Sequence, residues 1–198
     1  MKAPFLSKPR IRELAEQFLN KFNSNRTCPT PVEQIVELVL GIDIIPMPGL
    51  QSNYDVVAFI SADKTEIRVD ESVYMHRARR YRFSLAHEVG HWLMHSDIWS
   101  ALTFRTVEDW KLQSQQIPAT EYGFLEWQAS EFAGLILVPP EELRDEVERQ
   151  KVVLNTAGYS VHDFDADRLA ASMAVPIATL FDVSTEVAQR RITADNLV

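Results

Sequence analysis

One short motif combines residue types and spacing that suit metal-dependent hydrolysis, the HExxH sequence from His87 to His91. It lies in a segment, Tyr74 to His95, whose pattern predicts a helix. Residues four apart share one helix face about one turn apart, so both imidazoles can bind the same ion. Glu88 is turned by about 100° from His87, which places its carboxylate beside the ion, where a general base belongs. We therefore predict His87 and His91 as metal ligands and Glu88 as the catalytic base.

A catalytic zinc site needs a third protein ligand, and the sequence offers several. His95 is eight residues from His87, a distance of about 12 Å along a helix, which is too far for both to reach one ion. Asp97 stands where the metzincin pattern has its last ligand, but Met94 replaces the glycine at which that chain turns back. The remaining arrangement is a glutamate on a later helix, as in thermolysin-like enzymes. The residues that could supply it are Glu121, Glu126 and Glu131.

Two sequence blocks resemble a known family. Residues 82–91 have the sequence RFSLAHEVGH and are followed by His95, which resembles the first block, RF(T/S)LAHELGHxxxH, of the ImmA/IrrE family of zinc metallopeptidases. Residues 126–139, EWQASEFAGLILVP, resemble its second block, ExxA(N/D)xFAxxLLMP. The blocks occur in the family's order, and the resemblance covers about residues 31–150. By this resemblance Glu126 is the third ligand.

One position departs from the family's pattern. The family usually has Asn or Asp four residues after the ligand glutamate, on the same helix face, and this chain has Ser130. A longer polar side chain there could orient a ligand histidine, so the shorter hydroxyl would act through water or through another group. His95 could be that group, although a histidine at a helix end also suits the helix dipole.

The resemblance implies an intracellular zinc-dependent metallo-endopeptidase that cuts a partner regulatory protein, such as a helix-turn-helix repressor of stress genes. His87, His91 and Glu126 would hold Zn²⁺, although such ligands also accept Mn²⁺ or Fe²⁺. The competing hypothesis is a non-hydrolytic module of the same fold that senses metal or binds a partner. The presence of Glu88 favours the enzyme, because a purely structural site has no use for that carboxylate. The residues that could stabilise the oxyanion are Tyr54, Tyr122, Tyr159 and His162.

Several short elements must position these residues. The hydrophobic pattern predicts helices from Ile11 to Phe22, from Pro31 to Gly41 and from Tyr122 to Val138. Between them, Val56–Ile60 and Thr65–Val69 are predicted to form a strand hairpin. An edge strand beside the site would align a substrate by main-chain pairing, and either strand of the hairpin is a candidate.

We predict a helix-rich α+β fold, a zincin-like core with a small sheet and a C-terminal helical extension. The core is expected at residues 1–150 and the extension, packed on it, at residues 151–198. The helices of the extension are predicted to break near Pro176 and Asp182. The segment Ile98 to Pro118 is expected to be irregular and to form part of the substrate-facing rim.

Composition limits the function classes. The chain has 198 residues, 46% of them hydrophobic, and a net charge of −8. This acidic balance does not favour direct nucleic-acid binding, which is largely electrostatic. The single cysteine, Cys28, cannot form an internal disulfide, and no segment is apolar enough for a signal peptide or membrane span. We therefore predict a cytoplasmic protein whose partner is a protein substrate.

Overall fold

The fold is described for residues 4–104 and 106–198 of a computed structural model. It confirms the predicted α+β class. The first three residues of the predicted core, and position 105 within the predicted rim segment, lie outside this description. The helices are α1 Lys8–Phe22, α2 Val32–Gln34, α3 Leu50–Tyr54, α4 Glu71–His76, α5 Ala78–Met94, α6 Ser96–Ser100, α7 Val107–Ser114, α8 Ala119–Leu137, α9 Pro140–Thr156, α10 Ala166–Phe181 and α11 Thr185–Ala194. A π-helical turn, Ile35–Val39, continues α2, and a 3₁₀ turn, Val161–Asp163, precedes α10.

The strands β1 Asp43–Met47, β2 Ala58–Ile60 and β3 Glu66–Asp70 form one sheet in the order β1-β3-β2. β3 pairs in parallel with β1 and antiparallel with β2. In the antiparallel pair, Arg68 of β3 lies opposite Phe59 of β2. The predicted hairpin is therefore confirmed. Because β3 lies in the centre of the sheet, it cannot offer a free edge to a substrate, and β2 is the hairpin's edge strand.

The segment predicted as one helix from Tyr74 to His95 is two helices. Asp70 caps α4 by accepting a hydrogen bond from the amide of Val73 at 3.1 Å. At Arg77 the backbone leaves the helical region, with φ at −133°, and α5 begins at the next residue. The HExxH motif lies in the second half of α5 and is fully helical.

Helices α5 and α8 approach each other closely at Gly90. A β-carbon built at Gly90 would lie 3.1 Å from Cα of Ala129 and 3.2 Å from its carbonyl oxygen. A glycine inside a helix costs about 1 kcal/mol relative to alanine, and this contact supplies the packing reason for it. The closeness brings the HExxH face of α5 against the face of α8 that carries Glu126.

Two local predictions were wrong. The segment Ile98 to Pro118 contains the end of α6 and all of α7, and Thr106 caps α7 by accepting a hydrogen bond from the amide of Asp109 at 3.1 Å. Pro176 lies inside α10 and does not end it. Asp182 does end α10, as predicted, with φ at +50°.

The C-terminal helices pack against the rest of the chain through polar and apolar contacts. Arg191 of α11 is buried and lies 3.7 Å from Glu131 of α8. Its Cδ would lie 3.1 Å from a β-carbon built at Gly134, also in α8. Arg82 of α5 pairs with Asp182 at 3.2 Å. The division near residue 150 stays a prediction. Within the described ranges, no helix combines the length and apolarity that a membrane span requires.

Candidate metal centre

Helices α5 and α8 bring two histidines and one glutamate to a single point. Nε2 of His87 lies 3.0 Å from Nε2 of His91. The two oxygens of Glu126 lie 3.2 Å from Nε2 of His87 and 3.3 Å from Nε2 of His91. In the part of the chain that the structure describes, these residues are the one group of His, Cys, Asp or Glu side chains able to share a metal ion.

The geometry of this group fits zinc. Ligand atoms bound to zinc at 2.0–2.1 Å in a tetrahedron lie about 3.3 Å from each other. The three distances between Nε2 of His87, Nε2 of His91 and the nearest Glu126 oxygens are 3.0, 3.2 and 3.3 Å. Two imidazoles and one carboxylate also form a donor set typical of catalytic zinc, which leaves a fourth position open.

The charges in the cluster suit metal binding as well. Burial lowers the pKa of His91 to about 4, so its imidazole is neutral near pH 7. Burial of Glu126 acts to raise its pKa, but its close contacts with the imidazoles of His87 and His91 outweigh burial and hold that pKa well below its usual range. Metal ligands must be neutral imidazoles and an ionised carboxylate, and these shifts favour those states for His91 and Glu126. At His87, desolvation is outweighed by the contact with Glu126 and the charge of Glu88, which raise its pKa, so zinc would displace a proton there.

Glu88 lies beside the cluster and is only 5% exposed. Its Oε2 accepts a hydrogen bond from the amide of Ile60, in the edge strand β2, at 2.9 Å. Removal from water raises the pKa of Glu88 to about 7, and the nearby His87 partly opposes that increase. A carboxylate whose pKa lies near neutrality is suited to taking up and releasing a proton.

The other acidic candidates do not belong to this group of ligands. Glu131 of α8 lies 3.7 Å from Arg191, on a different face of the helix from Glu126. Glu121 lies in the first turn of α8, where a carboxylate interacts favourably with the helix dipole. Asp97 is exposed in the first turn of α6. The structure thus brings Glu126 to the histidines, although the ligand and catalytic roles themselves stay predictions.

Ser130 and His95 contact the two histidines on the side away from the cluster. Ser130 Oγ lies 3.3 Å from Nδ1 of His87, so the short hydroxyl reaches the imidazole directly. His95 Nδ1 lies 2.9 Å from Nδ1 of His91. Each histidine of the motif therefore presents Nε2 to the cluster and has a polar partner at Nδ1, which is the usual arrangement for metal-binding histidines.

A cavity of about 370 Å³ opens above the cluster. Several aromatic side chains line it together with the site residues: Phe59, Phe83, Trp99, Trp110 and Tyr122. Two of these, Trp99 and Trp110, belong to the segment predicted as a rim. Of the four oxyanion candidates, Tyr122 lines this cavity. Tyr54 contacts Glu108, Tyr159 packs on Phe164, and His162 is exposed in the 3₁₀ turn before α10.

Sequence reasoning missed three contributors to the site. Trp99 stacks on the His91 ring with centroids 4.5 Å apart, and its Nε1 is buried without a hydrogen-bond partner among the described residues. Gln128 contacts His95, and the amide of Ile60 contacts Glu88. Trp99 in the short α6 and Gln128 in α8 belong to no pattern with a distinctive spacing, and a main-chain amide leaves no trace in the sequence.

A helix that carries HExxH, packed against a second helix that supplies a glutamate, is the arrangement of gluzincin-like proteins. The chain belongs to the peptidase M78 family, since the model of its IrrE N-terminal-like domain matches residues 38–193. This confirms the family resemblance of the two sequence blocks.

The fold is also similar to a solved structure. A Mycobacterium tuberculosis transcriptional regulator matches with a TM-score of 0.57 and 16% sequence identity, over 92% of this chain and 55% of that chain. At this identity the likeness concerns the fold alone, and this chain corresponds to little more than half of the regulator's length. A comparison with curated proteins finds no match.

Proposed function

We propose that this chain is a zinc-dependent metallo-endopeptidase that cleaves a partner regulatory protein at selected sites. One observation carries the proposal. The ligand atoms of His87, His91 and Glu126 lie 3.0–3.3 Å apart, and the buried carboxylate of Glu88 lies beside them in the same cavity. A site that only bound metal would have no need of a second, buried acid.

The catalytic roles follow from the positions of the side chains. His87, His91 and Glu126 would hold zinc, which when bound polarises the scissile carbonyl and acidifies a water molecule. Glu88 takes the proton of the attacking water on Oε1, because Oε2 already accepts the hydrogen bond from Ile60. The same oxygen then delivers that proton to the leaving amine as the peptide C–N bond breaks.

The edge strand β2 would align the substrate chain. The carbonyl of Val57, just before β2, accepts from the amide of Asp70, and the amide of Ser61, just after β2, donates to the carbonyl of Glu66. Main-chain pairing with β3 therefore alternates along this stretch, and within β2 it falls at Phe59, opposite Arg68. The main-chain groups of Ala58 therefore face the opposite side, as the Ile60 amide does when it donates to Glu88. A substrate strand that pairs with Ala58 would lie along the cavity wall next to the base.

Tyr122 is proposed to stabilise the oxyanion. It lines the cavity with Glu126, and its burial and the nearby carboxylate of Glu126 raise its pKa above the usual value. The phenol consequently stays protonated at neutral pH and can donate a hydrogen bond to a developing negative charge.

The proposed substrate is a helix-turn-helix repressor of stress genes, and the proposed location is therefore the cytoplasm. Membership of the peptidase M78 family supports proteolysis. The substrate class comes from the ImmA/IrrE resemblance, and the similar structure belongs to a protein described as a transcriptional regulator. The aromatic wall of the cavity would favour apolar side chains next to the cut bond.

The test is co-expression of the intact chain with candidate repressors encoded nearby, with Glu88→Gln as the matched control. We expect repressor fragments, detected by intact mass, only with the unmodified chain, while both chains retain bound zinc. Cleavage by Glu88→Gln at even a tenth of the original rate would contradict the role of Glu88. Stable binding of a repressor without cleavage by either chain would instead support the non-hydrolytic alternative.

A further inference from the structure

A buried chain of hydrogen bonds leads from His91 to the N-terminal segment of the protein. His91 Nδ1 lies 2.9 Å from His95 Nδ1, and His95 Nε2 lies 3.0 Å from Oε1 of Gln128. Nε2 of Gln128 donates to the carbonyl oxygen of Pro4 at 2.8 Å. His95 is 1% exposed and Gln128 is 0% exposed, so water does not compete for the two contacts of His95, while the contact of Gln128 with Pro4 is partly buried.

The contact with Pro4 fixes which atom donates and which accepts in each of these hydrogen bonds. The carbonyl of Pro4 can only accept a hydrogen bond, which requires the NH₂ group of Gln128 to face it. The amide oxygen of Gln128 then faces His95, and because that oxygen is also only an acceptor, His95 Nε2 must donate. In a neutral imidazole one nitrogen donates and the other accepts, so His95 Nδ1 accepts from His91 Nδ1. His91 Nε2 is left with a free lone pair directed at the cluster.

We infer that Gln128 is a positioning residue: acting through His95, it selects the tautomer and the ring orientation of His91 that suit a metal ligand. The Pro4 carbonyl anchors the amide of Gln128, and the stacked Trp99 ring, 4.5 Å from His91, limits rotation of the imidazole. The inference rests on the proposed function only in taking His91 as a metal ligand. It goes beyond that function in assigning a role to a glutamine that does not touch the metal cluster.

Zinc titration of two variants tests the inference. Gln128→Met keeps the size of the side chain and removes both hydrogen bonds, and we expect zinc affinity to fall by about ten- to a hundredfold. Gln128→Glu keeps an acceptor oxygen for His95 Nε2 but loses the hydrogen bond to the Pro4 carbonyl, so its affinity should fall by less than about tenfold. A purely structural role would predict that the two variants lose metal affinity in proportion to their loss of thermal stability. Equal losses of affinity in both variants would overturn the inference.

A second measurement needs no variant and no metal. Nitrogen NMR of the histidines in the metal-free protein distinguishes a proton on Nδ1 from one on Nε2. We expect His91 to carry it on Nδ1 and His95 on Nε2, and the opposite tautomers, or a doubly protonated His95, would overturn the inference even if Gln128→Met failed to fold. Neither readout requires turnover. A chain that shows this tautomer pair and cleaves nothing would therefore contradict the proposed function and leave the role of Gln128 intact.

Discussion

The contact between α5 and α8 at Gly90 leads to a prediction that is independent of any substrate. In Gly90→Ala the new methyl group would lie 3.1 Å from Cα of Ala129, and the neighbour is helix backbone that cannot rotate away. Overpacking of this kind costs about 1–3 kcal/mol. The gain in helix propensity offsets about 1 kcal/mol of that cost. We therefore expect a net loss of about 1 kcal/mol in the free energy of unfolding.

Gly123→Ala is the matched control. Gly123 also lies inside a helix, α8, but a β-carbon there would have nothing within 4 Å, so the change should stabilise the protein by about 1 kcal/mol. The propensity gain is common to both variants, and their difference of about 2 kcal/mol measures the overpacking alone. In a chain of this size each kcal/mol shifts Tm by about 2–4 °C, which thermal unfolding of the metal-free proteins resolves.

The same change should weaken metal binding. The helices must separate by a few tenths of an ångström to admit the methyl group, which moves Glu126 on α8 away from the histidines on α5. Zinc titration should show a lower affinity for Gly90→Ala and an unchanged affinity for Gly123→Ala. If Gly90→Ala proves as stable as Gly123→Ala, the close packing of α5 on α8 is wrong, and so is the geometry of the cluster.

Three further predictions concern single residues. Glu126→Ala should lose zinc in metal analysis of the purified protein, while Glu121→Ala and Glu131→Ala keep it; zinc loss from either of the latter, with Glu126→Ala still loaded, would reverse the ligand assignment. Tyr122→Phe should lower kcat by about a hundredfold, as expected for one oxyanion donor, with zinc content unchanged; an unaltered kcat would remove Tyr122 from the mechanism. Trp110→Ala should change which repressors are cut more than it changes metal content, and identical cleavage patterns would exclude this residue from the substrate-facing wall.

The sequence predicted secondary structure best where one hydrophobic pattern continues over many consecutive residues. The 3.6-residue period of the segment around the HExxH motif predicted its helix, although the break at Arg77 was missed because a single non-helical residue leaves little trace in that period. Helices α6 and α7 are five and eight residues long, shorter than the window over which a helical period can be recognised. A usable signal for α7 existed in Thr106 three positions before Asp109, since that spacing suits an N-terminal cap.

The wrong prediction at Pro176 has the opposite cause. Here the sequence has a strong local signal for a helix end, but the helix continues through it. A proline usually ends a helix because it lacks an amide proton and its ring crowds the preceding turn. In α10 it is flanked by Met173, Ala174 and Ile177, all buried in the core. Burial of these side chains on both sides of the proline outweighs the lost hydrogen bond, and no local rule can register that balance.

The least predictable features of the site share one property, namely that each depends on a main-chain group far away in the sequence. The backbone of Ala129 sets how near Gly90 can come, the amide of Ile60 holds Glu88, and the carbonyl of Pro4 orients Gln128. Every residue but proline has such an amide, and every residue has a carbonyl, so residue types at these positions reveal nothing of their use. Side-chain substitution at position 60 or 4 would leave these contacts available, whereas a shift of strand β2 or of the N-terminal segment would remove them. The residue types of the five-residue motif therefore define its chemistry. The exact positions of the side chains in the site, however, depend on three stretches of backbone that are distant in the sequence.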